Sequence, residues 1–160
     1  MGKVLKSFTP GYPGSVSRNS PNVIASFRNG NAAQIAYGSP LFLRPAVKGV
    51  MNYVEGMVDA ANFVGFAVRI PDDTPDTFNT TRSCYVAGDP VEVLMWGSIV
   101  VQVSSSSAKI GDPVYLRLAD GKLVTNAGSS GETIPLEGVV IRGPMDINGY
   151  LEVSVTRRRL

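Results

Sequence analysis

Three times the chain writes glycine, one small polar residue, proline and then an aliphatic residue: Gly38-Ser39-Pro40-Leu41, Gly88-Asp89-Pro90-Val91 and Gly111-Asp112-Pro113-Val114. Glycine permits a turn with positive φ, Ser or Asp bonds its own backbone within that turn, and proline fixes φ where a strand begins. Each copy follows a short apolar or aromatic approach: Gln34 to Tyr37, Cys84 to Ala87, and Ala108 to Ile110. Each also runs into a strand-like stretch: Leu41 to Leu43, Val91 to Trp96 and Val114 to Leu118. Gly38, Pro40, Gly88, Asp89, Pro90, Gly111, Asp112 and Pro113 are therefore expected as fold-determining turns of an all-β protein.

The rest of the chain reads the same way. Val23 to Arg28 and Ala33 to Tyr37 are strand candidates around the turn-forming Asn29-Gly30-Asn31, and Leu41 to Val47 is a third. Phe63 to Arg69 is a strong strand with Gly65 in its middle, which predicts a bulge or a close backbone approach. Val91 to Trp96 and Ile99 to Val103 flank Gly97-Ser98, a candidate tight hairpin. Asp120-Gly121 between Leu118 and Leu123 is a second hairpin candidate. Leu136 to Arg142 and Tyr150 to Thr156, the latter opened by Gly149, complete the strands. No stretch sustains a 3.6-residue period; the best helix candidate, Val54 to Asn62, is interrupted by Gly56. Many short strands at turn-marked intervals predict a single β-barrel or sandwich-like domain over residues 23–160. Residues 1–22, punctuated by Pro10, Gly11, Pro13, Gly14 and Pro21, read as an extended N-terminal arm, either loose or laid on a neighbour.

A length of 160 residues supports one domain with a real core. Charged residues make up only 18%, less than the usual quarter, as in a protein that spends its life against partners. The placement of charge says more than its amount. Before Glu55 there is no acidic residue, while Lys3, Lys6, Arg18, Arg28, Arg44 and Lys48 are all cationic. Such asymmetry suggests a face meeting an acidic partner, against the alternative of a simply solvated segment. Lys3, Lys6, Arg18 and Arg28, with the aromatics Phe8 and Tyr12, are the candidate contacts.

Chemistry has little to stand on. Histidine is absent, which removes the commonest general base and metal ligand. The one cysteine, Cys84, excludes an internal disulfide framework and reads as a small core residue. No serine sits in a nucleophile elbow, and Asp72, Asp73 and Asp76 lack the spacing of a calcium loop. No catalytic residue, cofactor or metal is expected. No apolar window is long enough for a membrane helix and no signal peptide is evident, so a product soluble in the cytoplasm of its host is expected. Trp96 reads as core more readily than as an interface anchor, and Arg157-Arg158-Arg159 is too short a run to predict nucleic-acid binding.

In order along the chain, Tyr12 to Arg18 with the Val23-Ile24 strand, Tyr37 to Leu41, Phe63 to Arg69, Gly88 to Ser98 and Gly111 to Tyr115 form a set that resembles the bacteriophage structural cement, or capsid decoration, proteins. The resemblance covers roughly residues 12–155 and carries no catalytic residues. It implies a β-barrel-like body that binds the outer surface of a phage capsid. There it would cement neighbouring copies of the major capsid (coat) protein as a homotrimer or other homo-oligomer, without engaging nucleic acid or membrane. Two other readings stand beside it. A tail or head–tail connector component shares the composition, and a carbohydrate- or host-surface-binding β module would need a platform of exposed aromatics.

Overall fold

A computed structural model describes residues 10–16, 21–31, 33–52, 59–70 and 84–156. The strands are β1 (Val23–Asn29), β2 (Ile35–Ala36), β3 (Pro40–Arg44), β4 (Gly49–Met51), β5 (Phe63–Ala67), β6 (Cys84–Tyr85), β7 (Pro90–Gln102), β8 (Pro113–Arg117), β9 (Leu123–Val124), β10 (Thr133–Ile141) and β11 (Tyr150–Val155). Two single 3-10 turns, Pro45–Val47 and Ala60–Asn62, are the helical content of the described residues.

The three Gly-x-Pro copies are built alike. In each, the residue after glycine donates its backbone N–H to the carbonyl three positions back: Ser39 to Ala36, Asp89 to Val86 and Asp112 to Lys109. The glycine at the third position has φ of 78°, 90° and 96° respectively, the geometry that makes glycine the natural occupant of a type II turn. The proline then opens β3, β7 or β8, where a missing N–H costs least. Asp112 Oδ2 additionally accepts the Lys109 N–H at 2.9 Å. Tyr12-Pro13-Gly14-Ser15 repeats the device with proline inside the turn: Ser15 N–H reaches Tyr12 O, and Gly14 has φ 84°.

Nine strands join in one sheet that closes on itself twice. In the first ring β1 pairs with β4, β4 with β3, β3 with β5, β5 with β7, and β7 returns to β1. In the second, β7 pairs with β11, β11 with β10, β10 with β8 and β8 with β9, while Val103 just beyond β7 bridges to Leu123 of β9. β7 is common to both rings. Its first half serves the first ring and Gly97 to Gln102 serve the second.

Alternation along the strands fills both rings. Leu41, Val50, Val64, Ala67, Val91, Val93 and Met95 gather on one side of the first ring, with Val23, Ala25 and Phe27 of β1 packed against them. The small β2–β6 sheet adds Ile35 and Tyr85 to this cluster, with Tyr37 just beyond β2. The intervening residues Phe42, Phe66 and Leu94 turn the other way and merge with Ile99, Val101, Leu116, Ile141, Leu151 and Val153 of the second ring. The two cores thus lie on opposite faces of the same strands, as period-two alternation requires.

Several expectations need correction. Gly97-Ser98 forms no hairpin; β7 runs straight through it for 13 residues. The extra residue is absorbed as a bulge: Val23 faces Trp96 while Ile24 faces Leu94, and Gly97 has φ 129° beside Asn22. This bulge also explains Trp96, which is 38% exposed instead of buried, because Met95 takes the inward position. Asn29 to Asn31 does not close a hairpin, since β1 pairs with β4 and β7 while β2 pairs with β6. The strand expected over Leu41 to Val47 ends at Arg44, where Pro45 starts a 3-10 turn. The Asp120-Gly121 hairpin exists, but as a longer loop in which Arg117 N–H bonds to Lys122 O. Of the helix candidate, Ala60–Asn62 is a 3-10 turn capped by Asp59 Oδ1, and 53–58 lie outside the described residues. Cys84 is half-buried.

Gly65 shows why its strand needs glycine. A Cβ there would lie 2.0 Å from Leu94 O, and φ is 153°. The β3–β5 register shifts at the same place, with Leu41 facing Gly65 and Phe42 facing Phe63. Close approach and bulge coincide.

Candidate interaction surfaces

Of the candidate contacts, Lys3, Lys6, Phe8 and Arg18 lie outside the described residues, as do Asp72, Asp73, Asp76 and Arg157 to Arg159. Tyr12 and Arg28 are described, and they stand in different places.

Tyr12 belongs to a segment fastened to the chain's own body. Gly14 N–H bonds to Val100 O at 2.8 Å, Val100 N–H to Ser15 O at 2.9 Å, and Arg69 N–H to Gly14 O at 2.7 Å. Val16 bridges Ile99 and packs on the second-ring core. This part of the expected arm is therefore laid on the edge of β7. Space is too tight for anything but glycine at two points: a Cβ on Gly14 would lie 2.8 Å from Arg69 N, and one on Gly38 would lie 2.9 Å from Gly14 N.

The Arg69 guanidinium completes the seam. It sits 5.1 Å from the Tyr12 ring centroid and 5.7 Å from that of Tyr37. Tyr37 meets Tyr85 edge-on at 5.2 Å. Cation–π contacts of this kind contribute roughly 0.5–1 kcal/mol at exposed sites. Tyr12 stays 66% exposed, its outer face open. Tyr12, Tyr37, Arg69, Lys122 and Ile147 line a groove of about 980 Å³ between the fastened segment and the second ring.

Beneath this seam Tyr85 is a structural hydroxyl. It donates to Val68 O at 2.5 Å and accepts from Glu92 N–H at 3.3 Å. Burial pushes its pKa up to about 12, because the phenolate would lose hydration.

Arg28, itself exposed, lies one residue before the end of β1, where its backbone faces Gly49 of β4 and Pro90 of β7. Arg117 and Asp120 make a two-pronged contact through Nε–Oδ1 at 2.9 Å and Nη2–Oδ2 at 2.5 Å. The Arg117 hydrogen bonds hold the Asp120 carboxyl down to about 2. Among the described residues no group of three or more His, Cys, Asp or Glu gathers as a metal site, and no helix is long and apolar enough to cross a membrane.

Comparison with known proteins adds two matches. A sequence model described as structural cement protein (E217 gp24/Pam3 gp6) matches residues 3–156. A solved structure described as the capsid of Myoviridae phage XM1 contains a chain that superposes with a TM-score of 0.69 at 20% identity, over 96% of this chain and 95% of that one. At that identity the likeness speaks for the fold. No curated protein matches.

Proposed function

Because the chain belongs to the phage structural cement protein family and so is a virion component that stabilises a capsid, we propose that it binds the outer surface of the shell and bridges neighbouring coat subunits as a homo-oligomer, with three copies as the first expectation. The observation that carries this reading is the partition of charge. Every acidic residue lies at or beyond Glu55, and the acid-free part begins with Lys3, Lys6 and Phe8 immediately before the fastened Tyr12 turn. In this reading residues 1–9 reach from the barrel to the coat protein, Tyr12 is the root of that reach, and the protein performs no chemistry.

The mechanism is mechanical. A bridging protein adds interface that must be broken before the shell opens, and a contact of ordinary size buries about 1,600 Å² in total. Engagement of several coat subunits by one oligomer multiplies the hold through effective concentration.

The test is reconstitution on particles that lack the protein. Added protein should co-sediment with them and raise the temperature at which they release their contents. A variant lacking residues 1–9 keeps the fastened turn and should melt like the full chain yet fail to co-sediment. Full binding by this variant would remove the reaching segment from the mechanism. Sedimentation of the free protein as a monomer that also binds as a monomer would remove the oligomer.

A further inference from the structure

The topology of the first ring brings together cations that are far apart in sequence. Gly49 of β4 is flanked by Arg28 on β1, paired parallel, and by Arg44 on β3, paired antiparallel. Two strand spacings separate those residues, about 10 Å. Lys48 directly precedes Gly49. Arg44 Nη1 donates to Gly30 O at 3.2 Å, so its side chain reaches across β4 to the end of β1. No carboxylate pairs with any of the three among the described residues. Glu92, on the neighbouring strand, accepts the Ser26 hydroxyl instead.

Beside this cluster a strand edge is open. In the β1–β7 ladder Asn29 N–H bonds to Asp89 O, which makes the odd-numbered residues of β1 the ones whose backbone faces β7. The N–H and C=O of Ile24 and Ser26 therefore point away from β7, and the side chains of both are exposed. β4 covers only Arg28 and Asn29 on that side. One step back in the same parallel register, Lys48 would face Phe27. Lys48 has φ 48°, the one positive φ outside glycine among the described residues, and there the chain turns from the 3-10 turn into β4. The space in line with β4, alongside Ile24 to Phe27, has no described strand in it.

We propose that this edge takes an extended acidic segment of the coat shell, which adds as a strand along Ile24 to Phe27 and sets its carboxylates against Arg28, Arg44 and Lys48. An open edge supplies affinity through main-chain bonds while flanking side chains select the partner. Unpaired cations gathered beside it select a negative one. The inference rests on the capsid-binding reading and adds to it a second contact, on the body and separate from residues 1–9.

The experiment measures co-sedimentation with protein-free particles at two ionic strengths. Arg28→Glu with Lys48→Glu reverses two exposed charges outside both cores. It should weaken binding about tenfold to a hundredfold, with an unchanged melting temperature and a flatter salt dependence than the parent. Ser26→Pro removes one outward N–H while the Ala25 and Phe27 bonds to β7 remain, and should weaken binding without altering salt dependence. If Ser26→Pro fails to fold, the charge-reversal pair decides alone. Parental binding by the charge-reversal pair overturns the proposal while leaving the capsid reading intact; failure of the parent protein to bind overturns both. A variant that binds particles normally but loses self-association would show that a second copy occupies the edge, and one that loses only retention of duplex DNA would show a polyanion site. Either result overturns the proposal.

Discussion

The two rings share a strand and a construction, yet they treat their polar groups differently. The second ring is complete within itself. Each strand finds a neighbour on both sides, the last junction being made by Val103 and Leu123. There Arg117 pairs with Asp120, and Arg142 Nε donates to Ser154 Oγ at 3.1 Å. The first ring closes with β4 covering only the end of β1, and it gathers Arg28, Arg44 and Lys48 with no carboxylate paired to them among the described residues. In the proposed reading, this difference in satisfaction separates what holds the protein together from what is offered outward. In that reading the second ring serves as the frame, and the first carries the side that faces a partner.

The largest effect is expected at the junction of β5 and β7 in the first ring. Gly65→Ala forces a Cβ onto Leu94 O and should cost about 4 kcal/mol or more through clash and strained φ together. Urea unfolding reads it directly, and a loss under about 1 kcal/mol would mean that β5 and β7 part easily. Next comes Leu116→Ala, at a fully buried position of the second ring, expected to cost about 3 kcal/mol. If it leaves particle binding per folded molecule unchanged, the division between frame and interface stands.

Tyr85→Phe is smaller, about 1–2 kcal/mol near neutral pH, for the bonds to Val68 O and Glu92 N–H. Its pH signature is more telling. The folded pKa is raised from 10.0 to about 12, so the folded state holds the proton more tightly than the unfolded chain. Stability should be level below pH 10, fall as pH rises through the interval to 12, and fall less steeply in the Phe variant. Asp120→Asn is the smallest effect. The carboxyl is held at about 2 against an ordinary 3.8, so its contribution is present above that ordinary value and is lost as pH falls toward the lower one. The acid limb of a melting-temperature profile should shift slightly, with the neutral plateau unmoved.

How much of this was legible in the sequence depended on whether the cause was local. The Gly-x-Pro turns were readable because a positive φ, a side chain bonding its own turn and a proline at a strand start are decided within four residues. Gly65 was readable as a bulge or close approach for the same reason. Gly97 was ambiguous, because glycine at a bulge and glycine in a hairpin look alike until the partner strand is known. Trp96 went with it, since one bulge residue decides which of two neighbours turns inward. The acid-free region was visible as a charge pattern, but its convergence on Gly49 was not. That convergence depends on the parallel β1–β4 pair, between segments that sequence order does not bring together. Closure of two rings on one strand was equally out of reach, because every local signal there is compatible with an ordinary sandwich.

A strand that belongs to both rings makes them a single cooperative unit, with no side-chain seam along which one could melt while the other persists. A tug applied at the β1 side is carried through covalent backbone into the second ring and resisted there by ladders loaded in shear. Amide exchange along Val91 to Val101 should accordingly slow to one common, global rate, and a protein that stabilises a shell gains a continuous tie in place of a joint.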